Sequence, residues 1–182
     1  MGKIVISETV SLDGVFQDPV GAGGFRFAGW FDQLTDADRQ AWAKAGFEEA
    51  MGAEALLMGR RTYEWLVARG WASRDGDWPD RLRALPKYVV SSTLEDLTWA
   101  NSTVLEGDVM KLKQQVDGEI VVYGSGRLVQ SLIERDIFDE LRLIVCPFAL
   151  GEGERPVERR KPLRLTDSRI IGDSLVSLTY RP

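Results

Sequence analysis

Short apolar runs alternate with longer amphipathic stretches over the first three quarters of the chain. The runs have the length and composition of buried strands in a parallel sheet, whereas the longer stretches repeat apolar residues at helical spacing. Strands are predicted at 3–10, 55–58, 87–90, 103–105, 119–123 and 140–148. A chain that alternates strands and helices in this way forms a mainly parallel sheet with helices on both faces.

The predicted helices begin at recognisable positions. Thr35 can cap a helix that runs to about Met51, with acidic residues in its first turn. Asp108 can cap another, and two more begin directly after the strands that end near Gly59 and Tyr123. Residues 70–80, which contain two tryptophans, a proline and two glycines, are expected to form a loop.

The last quarter of the chain has the pattern of an antiparallel hairpin. Gly172-Asp173 is a predicted tight turn between residues 163–171 and a second arm in which alternate residues are apolar. The predicted fold class is therefore α/β. It is one three-layer domain over residues 1–182, with a mainly parallel twisted sheet, helices on both faces and a C-terminal antiparallel hairpin.

Composition narrows the class of protein. The 182 residues carry a net charge of −5, with 44% hydrophobic and 28% charged residues. An acidic chain without a basic stripe lacks the surface that general nucleic-acid binding needs, and no apolar stretch approaches the ~20 residues that span a bilayer. The single cysteine, Cys146, excludes an internal disulfide and fits a reducing compartment. We expect a cytoplasmic protein that binds neither nucleic acid nor membrane.

The chain contains no histidine. Its absence excludes Ser-His-Asp and Cys-His catalysis, and it removes the usual zinc ligands. We therefore expect no metal site. Any proton transfer must use a carboxyl group, tyrosine, lysine, arginine or water.

Small and polar residues follow three of the predicted strands, where ligands bind in open α/β sheets. Glycine lets the backbone approach a phosphate, a helix N-terminus offers free N–H groups, and arginine can bind phosphate in a bidentate manner. The candidate residues for a phosphorylated cofactor are Gly59, Arg60, Arg61, Thr62, Ser91, Ser92, Tyr123, Gly124, Ser125 and Gly126. Each also has an ordinary interpretation: the glycines and serines as turn residues, the arginines as surface charges, and the tyrosine as a core residue.

Two common nucleotide-binding motifs are missing from the sequence. After Gly124-Ser125-Gly126, the fingerprint Gly-x-Gly-x-x-Gly requires glycine at the position of Val129, and no Gly-Lys-Ser or Gly-Lys-Thr phosphate loop occurs. The two corresponding folds are disfavoured, although nucleotide binding itself is not.

A long glycine-rich loop is predicted from Asp13 to about Trp30. Loops of this length inside a compact domain are usually functional or mobile. Its aromatic side chains either fix the loop to the core or form a lid over a flat ligand, and the sequence leaves both possibilities open. Phe16, Phe25 and Trp30 are the candidate substrate contacts.

Several short motifs follow one another in a specific order and spacing. They are Ser11-Leu12-Asp13-Gly14, Gly59-Arg60-Arg61-Thr62-Tyr63-Glu64, Lys87 to Thr93, Tyr123-Gly124-Ser125-Gly126 with Leu128 and Leu132, Asp139-Glu140-Leu141, and Pro147 with Leu150-Gly151-Glu152-Gly153. Over nearly the whole chain they resemble the dihydrofolate-reductase-like superfamily, in particular the group built like the reductase domain of the bifunctional riboflavin deaminase–reductase.

The resemblance implies a nicotinamide cofactor, usually NADPH. Gly59, Arg60 and Thr62 would bind its phosphates, and Ser91 and Ser92 its adenosine side. Residues 124–126 would match the family's glycine pair at the pyrophosphate, with Ser125 in one of the small positions. Asp13 would lie near the nicotinamide and the substrate, and the loop after it would form the lid.

We expect hydride transfer from NADPH to a small heteroaromatic substrate of the pterin or pyrimidine type. Asp13, or a water that it orients, is the candidate catalytic proton donor, unless its carboxylate only ties down the Asp-Gly turn. Glu8 and Asp32 are weaker candidates.

Two alternatives to this expectation stay open. One is a stand-alone 5-amino-6-(5-phosphoribosylamino)uracil reductase of riboflavin biosynthesis, whose substrate needs its own basic pocket. The other is a non-catalytic nucleotide- or flavin-binding dimer. Because the alternating C-terminal strands offer a surface that can pair two copies, we expect a homodimer.

Overall fold

The computed structural model describes residues 1–21, 23–106 and 108–182. Eight strands form one sheet, and they are β1 (Lys3–Val10), β2 (Ala53–Gly59), β3 (Lys87–Val90), β4 (Ser102–Leu105), β5 (Glu119–Tyr123), β6 (Glu140–Val145), β7 (Arg164–Ile171) and β8 (Leu175–Arg181). Their order across the sheet is β4-β3-β2-β5-β1-β6-β8-β7. The pairs from β4 to β6 are parallel, whereas β8 pairs antiparallel with β6 and with β7. The predicted sheet with its C-terminal hairpin is confirmed.

Five α-helices connect the strands in the described part of the chain. They are α1 (Asp36–Gly52), α2 (Arg60–Ala68), α3 (Asp77–Ala84), α4 (Val109–Gln115) and α5 (Gly126–Glu134), and a short 3-10 turn at Trp30–Gln33 precedes α1. Successive residues of a strand face opposite sides of the sheet. Ile4 and Ile6 therefore pack against α4 and α5, whereas Val5 packs in a second cluster that includes residues of α2 and α3. The predicted helices on both faces are confirmed.

Two boundaries differ from the sequence-based prediction. The expected loop at residues 70–80 contains the start of α3, because a proline at position 79 is tolerated in the first turn of a helix. The helix is short, four of its eight residues are charged, and its buried residues are Pro79 and Leu82. The last parallel strand ends at Val145 rather than at Phe148, since Pro147 has no amide hydrogen to continue the ladder.

The start of α1 is fixed to the hairpin through a buried carboxylate. The Thr35 hydroxyl caps the helix by accepting a hydrogen bond from the amide of Asp38 at 3.1 Å. The Asp38 carboxylate in turn accepts bonds from the amide of Asp173 at 2.8 Å and from the amide and hydroxyl of Ser174 at 3.0 and 2.5 Å. The Ser174 hydroxyl is the main cause of the lowered pKa of Asp38, which stays ionised among these donors.

The carboxyl ends of four strands lie in a row along one edge of the sheet. In register, Ser7 of β1 pairs with Tyr123 at the end of β5, and Gly59 at the end of β2 pairs with Val90 of β3. The chain leaves β1 toward β2 and later returns to place β5 between them. Such a reversal of strand order opens a crevice at the strand ends, where ligands bind in open α/β sheets. No helix in the described ranges is long and apolar enough to cross a membrane.

Candidate functional site

A cleft of about 1790 Å³ lies at this edge and extends between α1 and one face of the sheet. Typical pockets for one small ligand measure roughly 300–1,000 Å³, so this cleft has room for a dinucleotide and a second small molecule. Seven of the predicted site residues line it: Phe16, Arg61, Thr62, Tyr123, Gly124, Ser125 and Gly126. The other seven, Asp13, Phe25, Trp30, Gly59, Arg60, Ser91 and Ser92, are not on its wall.

The ends of β2 and β5 are joined by one side chain. The Ser125 hydroxyl accepts a hydrogen bond from the amide of Gly59 at 2.9 Å and donates one to the carbonyl of Tyr123 at 3.0 Å. Gly124 and Ser125 both have left-handed backbone conformations, with φ of 54° and 68°. A Cβ on Gly124 would lie 3.4 Å from the side chain of Thr62. Glycine therefore suits position 124, where the backbone is left-handed and a side chain would crowd Thr62.

Two helices begin side by side at this corner. Neither α2, which follows Gly59, nor α5, which follows Ser125, has a side-chain cap on its first N–H groups. The first N–H groups of a helix have no partner within the helix, and they carry the positive end of its dipole. A Cβ on Gly126 would lie 3.0 Å from the ring of Phe16 and 3.5 Å from the Glu154 carboxylate, so the close packing at the N-terminus of α5 requires glycine at this position. The pair of helix ends forms a cradle for an anion such as a pyrophosphate.

The two neighbouring arginines point to different places. Arg60 binds the Glu64 carboxylate at 2.9 Å and the Thr93 hydroxyl at 2.5 Å, outside the cleft. Arg61 lines the cleft and has neither an ion pair nor a hydrogen bond with any described residue. Of the two predicted phosphate-binding arginines, the structure brings only Arg61 to the cleft.

The serines after β3 lie on the same sheet edge but outside the cleft. The Ser91 hydroxyl accepts hydrogen bonds from the amides of Thr93 and Leu94 at 3.1 and 3.0 Å, as in a serine turn. Ser92 is exposed beside it. Their predicted contact with the adenosine side stays a prediction, since the two residues are neighbours of Arg60 rather than of the enclosed space.

The Asp13 carboxylate fixes the turn after β1 to residues 150–151. Its carboxylate accepts hydrogen bonds from the amides of Leu150 and Gly151 at 3.0 and 2.8 Å and from the Ser11 hydroxyl at 2.7 Å. The Leu150 amide contributes most to lowering the pKa of Asp13 to about 2. An acid that is ionised at neutral pH and lies off the cleft wall does not fit the predicted role of proton donor. The structure matches the other interpretation, in which the carboxylate ties down the turn.

Only one of the three predicted aromatic contacts reaches the cleft. Trp30 is 1% exposed, donates from Nε1 to the carbonyl of Gln17 at 3.0 Å, and belongs to the core. Phe25 packs edge-on against Phe27 and beside Gly153. Phe16 alone lines the cleft. The loop is therefore both fixed to the core and, through Phe16, part of the cleft wall.

One wall of the cleft is formed by tryptophans from segments that are distant in the sequence. Phe31, Trp42, Trp78 and Trp71 make successive edge-to-face contacts with ring centroids 4.9, 5.5 and 5.2 Å apart. Trp65 and Trp99 line the cleft as well. Five of the six tryptophans of the chain thus face one cavity. Flat aromatic walls of this kind suit a planar ligand, and only the high tryptophan content hinted at them.

A buried charge network lies on the same face of the sheet. Arg142 of β6 binds the carboxylates of Glu119 at 2.7 Å, Glu140 at 2.8 Å and Glu49 of α1 at 3.2 Å. Burial opposes its charge, but the hydrogen bonds to Glu119 and Glu140 outweigh that effect and raise the pKa of Arg142. Burial raises the pKa of Glu49, against the opposing effect of Ser7 and Arg142. The network was not predicted, because its members come from three separate segments, α1, β5 and β6.

Glu8 of β1, a weaker candidate from the sequence, lines the cleft and is 7% exposed. Its Oε1 atom is buried without a hydrogen-bond partner in the described part of the chain. Burial, and then the nearby charge of Glu49, raises the pKa of Glu8 well above its ordinary value. Asp32, the other weaker candidate, is exposed. The described residues contain no cluster of acidic or cysteine side chains that could hold a metal ion.

A model of one protein family, described as the RibD C-terminal domain, matches residues 2–176. The chain belongs to the RibD C-terminal domain family. The uncharacterized protein YyaP of Bacillus subtilis (strain 168) is 26% identical to this RibD_C chain over 190 residues, which cover 98% of the chain and 94% of YyaP.

Solved structures share the fold of this RibD_C chain. A putative riboflavin biosynthesis protein from Shewanella sp. PV-4 superposes with a TM-score of 0.68 at 18% identity, covering 98% of each chain. RibD of Acinetobacter baumannii superposes with a TM-score of 0.65 at 15% identity. The chain spans 58% of the length of that RibD protein. The similarity confirms the dihydrofolate-reductase-like fold that the motifs predicted.

Proposed function

We propose that this RibD_C chain is a reductase that binds NADPH at the carboxyl ends of β2 and β5 and reduces a small, flat heteroaromatic substrate in the aromatic part of the cleft. The observation that carries the proposal is the corner between the two strands. Two helix N-termini without a side-chain cap meet there, and Arg61, which has no ion pair or hydrogen bond with a described residue, lies on the wall beside them. Membership of the RibD C-terminal domain family supports the same assignment.

The residues present fit a dinucleotide phosphate. The pyrophosphate would be held by the N–H groups that open α2 and α5, neither of which has a side-chain cap. Arg61 would supply a charge-assisted bond to a phosphate. Ser125 occupies a position where glycine is expected from the resemblance, but its hydroxyl is turned toward Gly59 and so does not project into the cradle. When bound, the nicotinamide supplies the hydride.

The chain itself would position the substrate and exclude water. Phe16 packs over Gly126, and the tryptophan wall on the other side offers flat surfaces for stacking. Holding two planar partners in contact accounts for much of the rate in such transfers. We do not assign the acid role to Asp13, because the amides of Leu150 and Gly151 hold its carboxylate, and the Leu150 bond is the main cause that lowers its pKa to about 2. A proton donor must therefore come from another carboxyl group on the cleft wall, or from water.

The proposal is tested without knowledge of the substrate by titrating the protein with NADPH and with NADH and following its thermal unfolding. A ligand that binds only the folded state raises the unfolding temperature in proportion to its saturation. A rise with NADPH that exceeds the rise with NADH at equal concentration supports the proposal. No shift with either nucleotide at millimolar concentration contradicts it, and adenosine 5′-monophosphate serves as the control for simple phosphate binding.

A further inference from the structure

The two faces of the C-terminal hairpin and the strand beside it differ in polarity. Alternate residues of β6, β8 and β7 line the cleft, and they are mostly polar: Glu140, Arg142, Ile144, Ser177, Thr179, Arg181, Asp167, Arg169 and Ile171. The residues that pair on the opposite face carry no charge, and all of them except Ser168 are hydrophobic. An antiparallel sheet that is covered on one side normally keeps its apolar side chains on that side. Here they lie on the face turned away from the cleft.

Five of these residues form a continuous surface. Val145 is paired with Val176 and Val176 with Ile170, while Leu178 is paired with Ser168 in the next row. We call these five residues the hairpin patch. Ile170 is 76% exposed, and the other three apolar residues are half-buried. None of the four belongs to a core cluster of the described chain, and none lines the cleft. Exposed apolar surface of this kind marks an interaction site.

The patch borders a free edge of the sheet. β7 pairs with β8 on one side and with no described strand on the other, and seven of its eight residues are exposed. Proteins that keep such an edge in water protect it with lysine, proline, a bulge or a covering element. β7 contains neither lysine nor proline, and its one irregularity lies between Leu165 and Asp167, outside the patch.

We propose that the hairpin patch packs against the same patch of a second copy of this chain, with the two sheets stacked face to face about a twofold axis perpendicular to the strands. Sheet faces pack about 10 Å apart with interdigitating side chains, and an isologous contact needs only one self-complementary surface. The patch carries no charge, so two chains of net charge −5 meet there without opposing like charges. The inference does not depend on the proposed function.

Charges at the two ends of the patch favour a second copy in this orientation. Asp173 lies in the turn at one end, and Arg160 lies just before β7, at the other end. Both are exposed, and in the described part of the chain neither has an ion pair, whereas the neighbours of Arg160, Arg159 and Lys161, do. Because the axis reverses the strand direction, Asp173 of each copy comes to the Arg160 end of the other.

The oligomeric state of the intact chain tests the proposal. Sedimentation velocity is expected to show a dimer of the wild type at micromolar concentration. Ile170→Lys is expected to weaken dimerisation at least a hundredfold, because it places an unpaired charge from each copy in an apolar interface. Met51→Lys is the matched control, since Met51 is 55% exposed on α1 and lies outside the patch. Ile170 is exposed in the single chain, so both variants should keep the wild-type circular dichroism spectrum.

A charge exchange tests the orientation. Asp173→Arg is expected to weaken the dimer at least tenfold, because Arg160 of the other copy then meets a like charge. Combining it with Arg160→Asp is expected to restore the wild-type affinity. A double variant that is no tighter than Asp173→Arg overturns the proposal, as does a dimer that survives Ile170→Lys or is lost equally in Met51→Lys. A wild type that stays monomeric at sub-millimolar concentration also overturns it, and if that monomer binds phosphatidylcholine vesicles, the patch serves a lipid surface instead.

Discussion

The hydroxyl of Ser125 accepts a hydrogen bond from the amide of Gly59 at 2.9 Å and so joins two strand ends that are 66 residues apart in the chain. Both proposed phosphate-binding helix ends depend on this contact for their relative position. Ser125→Ala is expected to lower the free energy of unfolding by about 1 kcal/mol, the usual contribution of one hydrogen bond, and to weaken NADPH binding. Urea denaturation measures the first effect. The control is Ser92→Ala, an exposed serine at the neighbouring strand end, for which no change in stability is expected.

Asp38 connects α1 to the turn of the hairpin, and its loss leaves three donors of Asp173 and Ser174 without an acceptor. Hydrogen bonds to charged groups contribute about 1.5–3 kcal/mol each, and removing the acceptor exposes the full cost of unpaired donors. Asp38→Ala is therefore expected to lower the free energy of unfolding by about 3 kcal/mol or more. Asp36→Ala, two residues earlier and exposed, is the matched control. Equal effects of the two substitutions in guanidinium denaturation would rule out this role for Asp38.

Asp13 has a pKa lowered to about 2 by its hydrogen bonds, of which the Leu150 amide contributes most. A carboxyl group whose pKa is lower in the folded state contributes stability above its unfolded pKa of about 4, and this contribution is lost as the pH falls toward 2. Asp13→Asn is expected to lower stability at pH 6 and to flatten the loss between pH 4 and 2. Urea unfolding curves at several pH values measure the free energy of unfolding, with Asp75→Asn as the exposed control. If stability falls between pH 4 and 2 as steeply in Asp13→Asn as in the wild type, the hydrogen bonds of Asp13 do not have this role.

Arg142 neutralises three carboxylates at the base of the cleft. Removing one side of a buried ion network leaves uncompensated charge and costs about 3–5 kcal/mol. Arg142→Met is expected to destabilise the protein by this amount at pH 7 and by less at pH 5, where the freed carboxylates take up protons. Arg169→Met, which breaks an exposed pair of 3.5 Å with Asp167, provides the comparison. The prediction is wrong if thermal unfolding shows the same loss of stability for both variants, or if Arg142→Met is destabilised as much at pH 5 as at pH 7.

The elements that the sequence predicted well are those whose signal is local. The apolar run before Gly59 and the small residues of 124–126 specify strand, turn and helix start within a few positions, and the structure places them as expected. α3 was missed because four of its eight residues are charged and one is a proline, so the pattern resembles a loop.

The parts of the site that were missed depend on contacts between distant segments. Nothing near Arg142 in the sequence shows that Glu49, 93 residues away, will lie 3.2 Å from its guanidinium. The same holds for burial: Trp30 and Phe16 belong to the same loop, yet one is in the core and the other lines the cleft. Residue type placed Glu8 among the candidates, but the sequence does not show that its Oε1 atom is buried with no partner among the described residues, whereas the Asp13 carboxylate accepts several hydrogen bonds.

The most direct test of the proposed function compares three single substitutions by calorimetry with NADPH. Arg61→Ala removes the arginine on the cleft wall, Arg60→Ala removes its neighbour outside the cleft, and Arg135→Ala removes an exposed arginine at the opposite end of α5. A lost charge-assisted bond of about 1.5–3 kcal/mol corresponds to a tenfold to hundredfold weaker affinity. We predict this loss for Arg61→Ala, a smaller one for Arg60→Ala and none for Arg135→Ala. No NADPH binding by the wild type, or equal affinity in Arg61→Ala and Arg135→Ala, would contradict the proposed cofactor site.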